Sequence, residues 1–219
     1  MVTAELLKTL VGVRLEKIMN IILEGLWYGP VKTISEAFAT SEPEGVDRFI
    51  MCPPVPESPH LTSWVESLTK SMELWRKHAS TERAIMFRHS PWSCAAYTQV
   101  YSQMYGHVFA AEESDLFNQI VDGLSELMLP PDLVLIFNWD MDKPTITHQD
   151  LYYGSNLDTL KSVQKSLHRW GELLEGRGVK VLYIDPPKNT DDFNSWRSWY
   201  LGVNHVIAAS IKEMRTQNG

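Results

Sequence analysis

Pro130-Pro131-Asp132-Leu133-Val134-Leu135-Ile136-Phe137 ends in five consecutive apolar residues with no polar alternation. Successive side chains of a strand point to opposite faces, so a short all-apolar run predicts a strand buried on both sides. Four further runs rich in Ile, Val, Leu, Phe or Met lie at 18–23, 48–52, 84–87 and 179–184. Between them the apolar residues recur at helical spacing. Leu61, Trp64, Val65, Leu68, Met72 and Trp75 mark one face, and Leu116, Ile120, Leu124 and Leu127 a second. Leu157, Leu160, Val163, Leu167, Trp170 and Leu174 mark a third. Gly176 and Gly178, flanking Arg177, supply a stop signal before the last run, because glycine tolerates the left-handed backbone that ends a helix. The stretch 196–214 reads as a closing helix with a frayed polar end.

Strands alternating with helices predict an α/β fold, a three-layer sandwich with a five-stranded, mostly parallel sheet flanked by helices. The 219 residues fit one domain, 1–219, with residues 1–16 as an N-terminal helical extension. In such folds ligands bind beyond the carboxyl ends of the strands. The residues just after each run therefore carry the functional question.

Composition narrows the classes. Hydrophobic content is 44% and eight Trp are spread along the chain, a globular composition. The formal charge of −7, with no Lys/Arg cluster, argues against nucleic acid as a partner. The two cysteines, Cys52 and Cys94, cannot build a disulfide framework and read as reduced thiols. No run of 18 apolar residues predicts a membrane span. Glu5, Lys8 and Arg14 interrupt the apolar patch near the start, so no secretory signal is read there, and Glu5 and Glu16 argue against a mitochondrial presequence. The expected compartment is the cytoplasm.

After the first run comes Glu24-Gly25-Leu26-Trp27-Tyr28-Gly29-Pro30-Val31-Lys32-Thr33, then a helical pattern. A phosphate loop needs backbone N–H groups around oxygens, a Lys for the β/γ-phosphates and a Ser/Thr hydroxyl for Mg²⁺. Lys32-Thr33 at a helix start supplies the last two. Gly25 lies seven residues before Lys32, one more than usual; Val31 precedes the Lys, and Pro30 removes a donor. The plainer reading of this segment is an ordinary strand-to-helix turn. Beyond the second run, Glu57 is placed to accept a hydroxyl proton, or is a solvated loop carboxylate. Beyond the third, Arg88 is placed to stabilise phosphate charge, while Ser90 and Pro91 also suit the start of a helix.

The succession resembles the P-loop deoxynucleoside kinase family, which includes herpesvirus-type thymidine kinases. Its carriers are Glu24-Gly25 before Lys32-Thr33, Val55-Pro56-Glu57 with Trp64 downstream, and Arg88-His89-Ser90 before a Tyr-rich helical stretch. Pro130–Phe137 and Val181–Asp185 complete the series, which covers roughly 18–190. The resemblance implies ATP-dependent phosphorylation of a deoxynucleoside 5′-hydroxyl, with ATP and Mg²⁺ as cofactors. It implies Gly25, Gly29, Lys32 and Thr33 on the ATP phosphates, with Thr33 also on Mg²⁺. Glu57 is then the general base and Arg88 the charge stabiliser. Trp64, His89 and Tyr101 become substrate-binding residues, with His89 able to take the place of Arg88 if the alignment slips by one. The implied partner is a small nucleoside, and pairing through helices such as 61–75 and 99–120 makes a homodimer the expected assembly. Compact size and drifted motifs fit a viral member working in a host-cell cytoplasm.

The departures favour a second reading, a kinase fold retained as a nucleotide-binding or structural scaffold. Val31 replaces a glycine, and no Gln occurs between Glu57 and Arg88 to read a base. From Asp140 to Asn156 the only Lys or Arg is Lys143, where a lid would carry arginines. Thr147-His148-Gln149-Asp150 contains a His-x-Asp spacing used at non-haem iron sites, but a second matching His is not placed.

Overall fold

Each of the five apolar runs forms a strand in the computed structural model, which describes residues 19–26, 29–52, 61–79, 84–92, 97, 119, 129–139, 157–189 and 192–217. The strands are β1 (Met19–Gly25), β2 (Arg48–Met51), β3 (Ala84–Arg88), β4 (Leu133–Phe137) and β5 (Lys180–Ile184). The described helices are α1 (Pro30–Thr40), α2 (Leu61–His78), α3 (Leu157–Glu175) and α4 (Phe193–Gln217). The expected helix over 116–127 lies outside the described residues except for Gln119, which is helical.

All four strand pairings are parallel, in the order β2-β3-β1-β4-β5. β1, β3 and β4 are buried along their whole length, as their unalternating sequences require, whereas edge strand β5 is only partly covered. Alternation divides each strand between two cores. Ile21, Leu23, Met86, Leu135 and Phe137 pack with Ile34 and Phe38 of α1 and Val203 and Ile207 of α4. Ile22, Ile85, Phe87, Val134 and Ile136 pack with Trp75 of α2 and Leu174 of α3. The result is the expected three-layer sandwich, with α1 and α4 on one face and α2 and α3 on the other.

Local chemistry fixes the joints. Asp132 opens β4 beside β1: its N–H donates to Asn20 O at 2.8 Å, and Asn20 N–H donates to Asp132 Oδ2 at 2.9 Å. Asp47 opens β2 against Ala84 of β3 in the same way. At the end of α3, Gly178 N–H donates to Glu175 O and Val179 N–H to Leu174 O, with Gly178 at φ +84°. That is a Schellman stop, and Gly178 rather than Gly176 takes the left-handed position. α2 differs from its expected face. Leu68 and Trp75 are buried as read, but Ser67 and Ser71 also turn inward. Small side chains there let the helix approach the sheet closely enough for Trp75 to meet Phe87, ring centroids 4.6 Å apart.

Candidate active site at the carboxyl rim

The connection leaving β1 runs toward β2 on one side, and that leaving β4 runs toward β5 on the other. Diverging connections open a crevice at the carboxyl ends of these two neighbours. Gly25 and Phe137, paired in register, form its floor.

Gly29 N–H donates to Leu26 O at 2.9 Å, and Lys32 N–H to Gly29 O at 2.9 Å. Gly29 caps α1 and Pro30 occupies its first position, where a missing N–H is tolerated. Pro30, Val31, Ile34, Ser35 and Phe38 are buried, so Lys32 and Thr33 fall on the opposite, outward side. Lys32 Nζ lies 3.8 Å from Glu36 Oε1 one helical turn away. Across the crevice, the Trp139 ring leans on Gly29: a β-carbon there would sit 2.8 Å from Trp139 Cε3. Trp139 is itself anchored, its N–H donating to Gln164 Oε1 of α3 at 3.0 Å.

At the end of β3 a charged cluster is sealed into the fold. Glu24, fully buried, accepts from Ser90 Oγ at 2.5 Å and meets His89 Nδ1 at 3.3 Å. Arg88 Nε–H donates to His89 Nε2 at 3.3 Å. His89 holds φ +58°, a left-handed conformation uncommon outside glycine, and its N–H is fixed to Leu23 O. Burial pushes the His89 imidazole below its ordinary pKa, against the opposing pull of Glu24. Burial likewise lowers the Arg88 pKa, while the charges of Glu36, Tyr97 and Glu24 raise it. Tyr97 Oη donates to Gly25 O, tying the segment after β3 to the end of β1.

The β4–β5 side of the rim is polar and wetter. Asn138 Oδ1 lies 2.6 Å from His168 Nε2, and Asn138 Nδ2 donates to Asp185 Oδ1 at 2.8 Å. Trp199 Nε1–H donates to Asp185 O at 2.7 Å. Beside this chain an open cavity of about 360 Å³ is lined by Pro187, Lys188, Asp192, Asn194, Ser195, Ser198 and Trp199. Asp192 begins α4 and accepts from the Ser195 hydroxyl and from the N–H groups of Asn194 and Ser195, which hold its carboxyl below the usual range.

Of the residues singled out in the sequence, Gly25, Gly29, Lys32, Thr33, Arg88 and His89 all lie at this one rim. Glu57 and Tyr101 lie outside the described residues, as does the side chain of Trp64, whose backbone belongs to α2. Both ring nitrogens of His89 are engaged by the chain. Sequence reasoning assigned no role to Glu24, Trp139, Asn138, His168 or Asp185. Glu24 and Asp185 carried a signal, each a carboxylate at the carboxyl end of an apolar run. Among the described residues no group of three His, Cys, Asp or Glu is arranged to hold a metal ion. No described helix is long and apolar enough to cross a membrane.

This order of parallel strands and its crossover helices recur in solved structures. Deoxyadenosine kinase from M. mycoides with bound dATP superposes with a TM-score of 0.59 at 13% identity, over 85% of this chain and 99% of that one. The same enzyme with products bound gives 0.61 at 11% identity, over 87% and 100%. The fold is that of the P-loop kinases. Thymidylate kinase from Candida albicans shares it, with a TM-score of 0.55 at 12% identity, over 86% and 94%. No family model matches the chain, and no curated protein is significantly similar to it. Within the kinase fold, the strand ends described above occupy the face where a ligand crevice forms, and the buried Glu24–His89–Arg88 cluster borders it.

Proposed function

We propose that the chain transfers a phosphoryl group from ATP to the 5′-hydroxyl of a deoxynucleoside, with thymidine the first substrate to test. The observation that carries this reading is the placing of two cations at one rim: Lys32 in the first turn of α1, after β1, and Arg88 at the end of β3, the neighbour of β1. Lys32 pairs with Glu36 at 3.8 Å, and the charge of Glu36 also acts on Arg88. Cations gathered at neighbouring strand ends suit the stabilisation of phosphate oxygens. The kinase fold supports it, since phosphoryl transfer depends chiefly on positioning and charge neutralisation.

In this reading Lys32, at the first turn of α1, reaches the terminal phosphates, helped by the positive end of the helix. Bound Mg²⁺ takes most of its ligands from water and phosphate and needs few from protein. The outward Thr33 suits it, and the ion neutralises phosphate charge. Gly25 and Gly29 line the phosphate side, Arg88 balances charge on the transferring group, and Glu57 takes the hydroxyl proton. Trp64 and Tyr101 remain the proposed substrate-side residues, whereas His89, buried and with both ring nitrogens engaged, stands behind Arg88 instead. The cavity walled by Trp199 offers an aromatic face to a base.

One observation favours the scaffold reading. The Gly29 N–H is spent on Leu26 O and Pro30 has none, so neither of these two residues offers a backbone donor to phosphate. Turnover decides between the two. The kinase reading expects ATP- and Mg²⁺-dependent phosphorylation of at least one of the four deoxynucleosides, abolished by Lys32→Ala and by Glu57→Gln. A purified chain with no turnover on any of them, and no rise in melting temperature with ATP, supports the scaffold.

A further inference from the structure

Glu24, His89 and Arg88 form a one-way relay whose direction follows from hydrogen-bond chemistry. The Nε–H of an arginine can only donate. His89 Nε2, 3.3 Å from it, therefore carries a lone pair, and the proton of the neutral ring sits on Nδ1. That Nδ1–H points at Glu24 Oε2, and the other oxygen of Glu24 accepts from Ser90. A fully buried carboxylate thus imposes one tautomer on a buried histidine, and the histidine presents one acceptor to the arginine. The left-handed backbone of His89 brings the ring between the two charges, a cost that persists only where surroundings demand it.

Arg88 alternates along β3 with Ala84 and Met86, which belong to the core on the α1 side, and the charge of Glu36 on α1 acts on it. The relay therefore holds the Nε edge of the guanidinium. A planar fork recognises phosphate only when its angle is set.

We propose that Glu24 is a positioning residue: acting through the Nδ1–H tautomer of His89, it fixes the angle at which Arg88 meets a phosphoryl group. The catalytic part of this inference rests on the kinase reading above; the tautomer does not. Glu24→Gln preserves shape but removes the charge. Its amide can turn either its oxygen or its N–H₂ toward His89 Nδ1, because the Ser90 hydroxyl can accept as well as donate, so the ring is no longer held to one tautomer.

The experiment is a long-range ¹H–¹⁵N spectrum of the histidine rings in the full chain, with the His89 signal assigned by its loss in His89→Asn. Wild type is expected to show the Nδ1–H tautomer alone and Glu24→Gln a mixture of both tautomers. Turnover in Glu24→Gln is expected to fall about a hundredfold, mainly in kcat. Ser90→Ala, which keeps the carboxylate charge and the His–Arg bond, costs much less. An Nε2–H ring in wild type overturns the proposal without need of a variant that folds. A ring in Glu24→Gln as purely Nδ1–H as in wild type, or turnover within threefold of wild type, also overturns it. If wild type itself has no turnover, the kinase reading falls with the catalytic part of the proposal, and the tautomers alone decide whether the relay holds Arg88.

Discussion

The two halves of the carboxyl rim solve the same problem in opposite ways. At the ends of β1 and β3, Glu24, Arg88, His89 and Ser90 are all at most 4% exposed, and charge is balanced inside the fold. At the ends of β4 and β5, Asn138 and His168 are half-buried, Asp185 is exposed, and a cavity stands open beside them. A buried charge is tolerated only when every partner is present, so the first half is rigid and intolerant of change. The second half can exchange partners with water. The contrast suits a division of labour in which the closed half orients a charged group and the open half receives a larger, neutral one.

The largest break in that comparison is Glu24→Ala. It removes the acceptor from His89 and Ser90 and one of the charges that act on Arg88, and it is expected to destabilise the fold by about 3 kcal/mol in denaturant melts. Gly29→Ala comes next. The new methyl meets the anchored Trp139 ring at 2.8 Å, costing about 1–3 kcal/mol. Combining it with Trp139→Leu restores part of the loss in a double-mutant cycle, because the nearest clash is with that ring, while Leu26 O still crowds the methyl at 3.3 Å. On the open half, Asn138→Ala removes the bonds to His168 and Asp185 yet costs only about 1 kcal/mol by the same melts, since water replaces the lost partners.

A pH series sharpens the contrast as a slope rather than a step. Burial holds the folded-state pKa of His89 below its ordinary 6.5, so the unfolded chain takes up the proton first. The contribution of His89 to stability is complete above about pH 6.5 and is lost as the pH falls below it. Melts of wild type should therefore weaken on acidification from neutral pH, and His89→Gln should flatten the slope just below 6.5.

Much of this architecture was legible in the residues themselves. Five apolar runs became five strands because a sheet covered on both faces leaves few polar positions in its central strands, and those of β1 and β3, Asn20, Glu24 and Arg88, are bonded at the strand ends. α3 and its stop were legible because helical periodicity and a glycine requirement are both local. The α2 face was read less well. Ser67 and Ser71 face the sheet for reasons of distance between layers, which no periodicity of apolar residues records. Arg88 was found because it closes an apolar run, and Lys32 because a Lys-Thr pair stands at a helix start after another. The buried Glu24 relay was not, because its bonds join residues 65 and 66 positions apart. The Trp139–Gly29 contact likewise depends on β1 and β4 being neighbours, a fact of sheet order rather than of either segment.

The account depends on Lys32 and Arg88 serving one phosphate site at the ends of β1 and β3. Calorimetric titration of ATP with Mg²⁺ into the full chain tests it most directly. Wild type should bind, with Lys32→Ala and Arg88→Ala each weakening affinity at least tenfold, about 1.4 kcal/mol. Wild-type chain that takes up no ATP, or variants that bind it as tightly as wild type, contradicts the shared site.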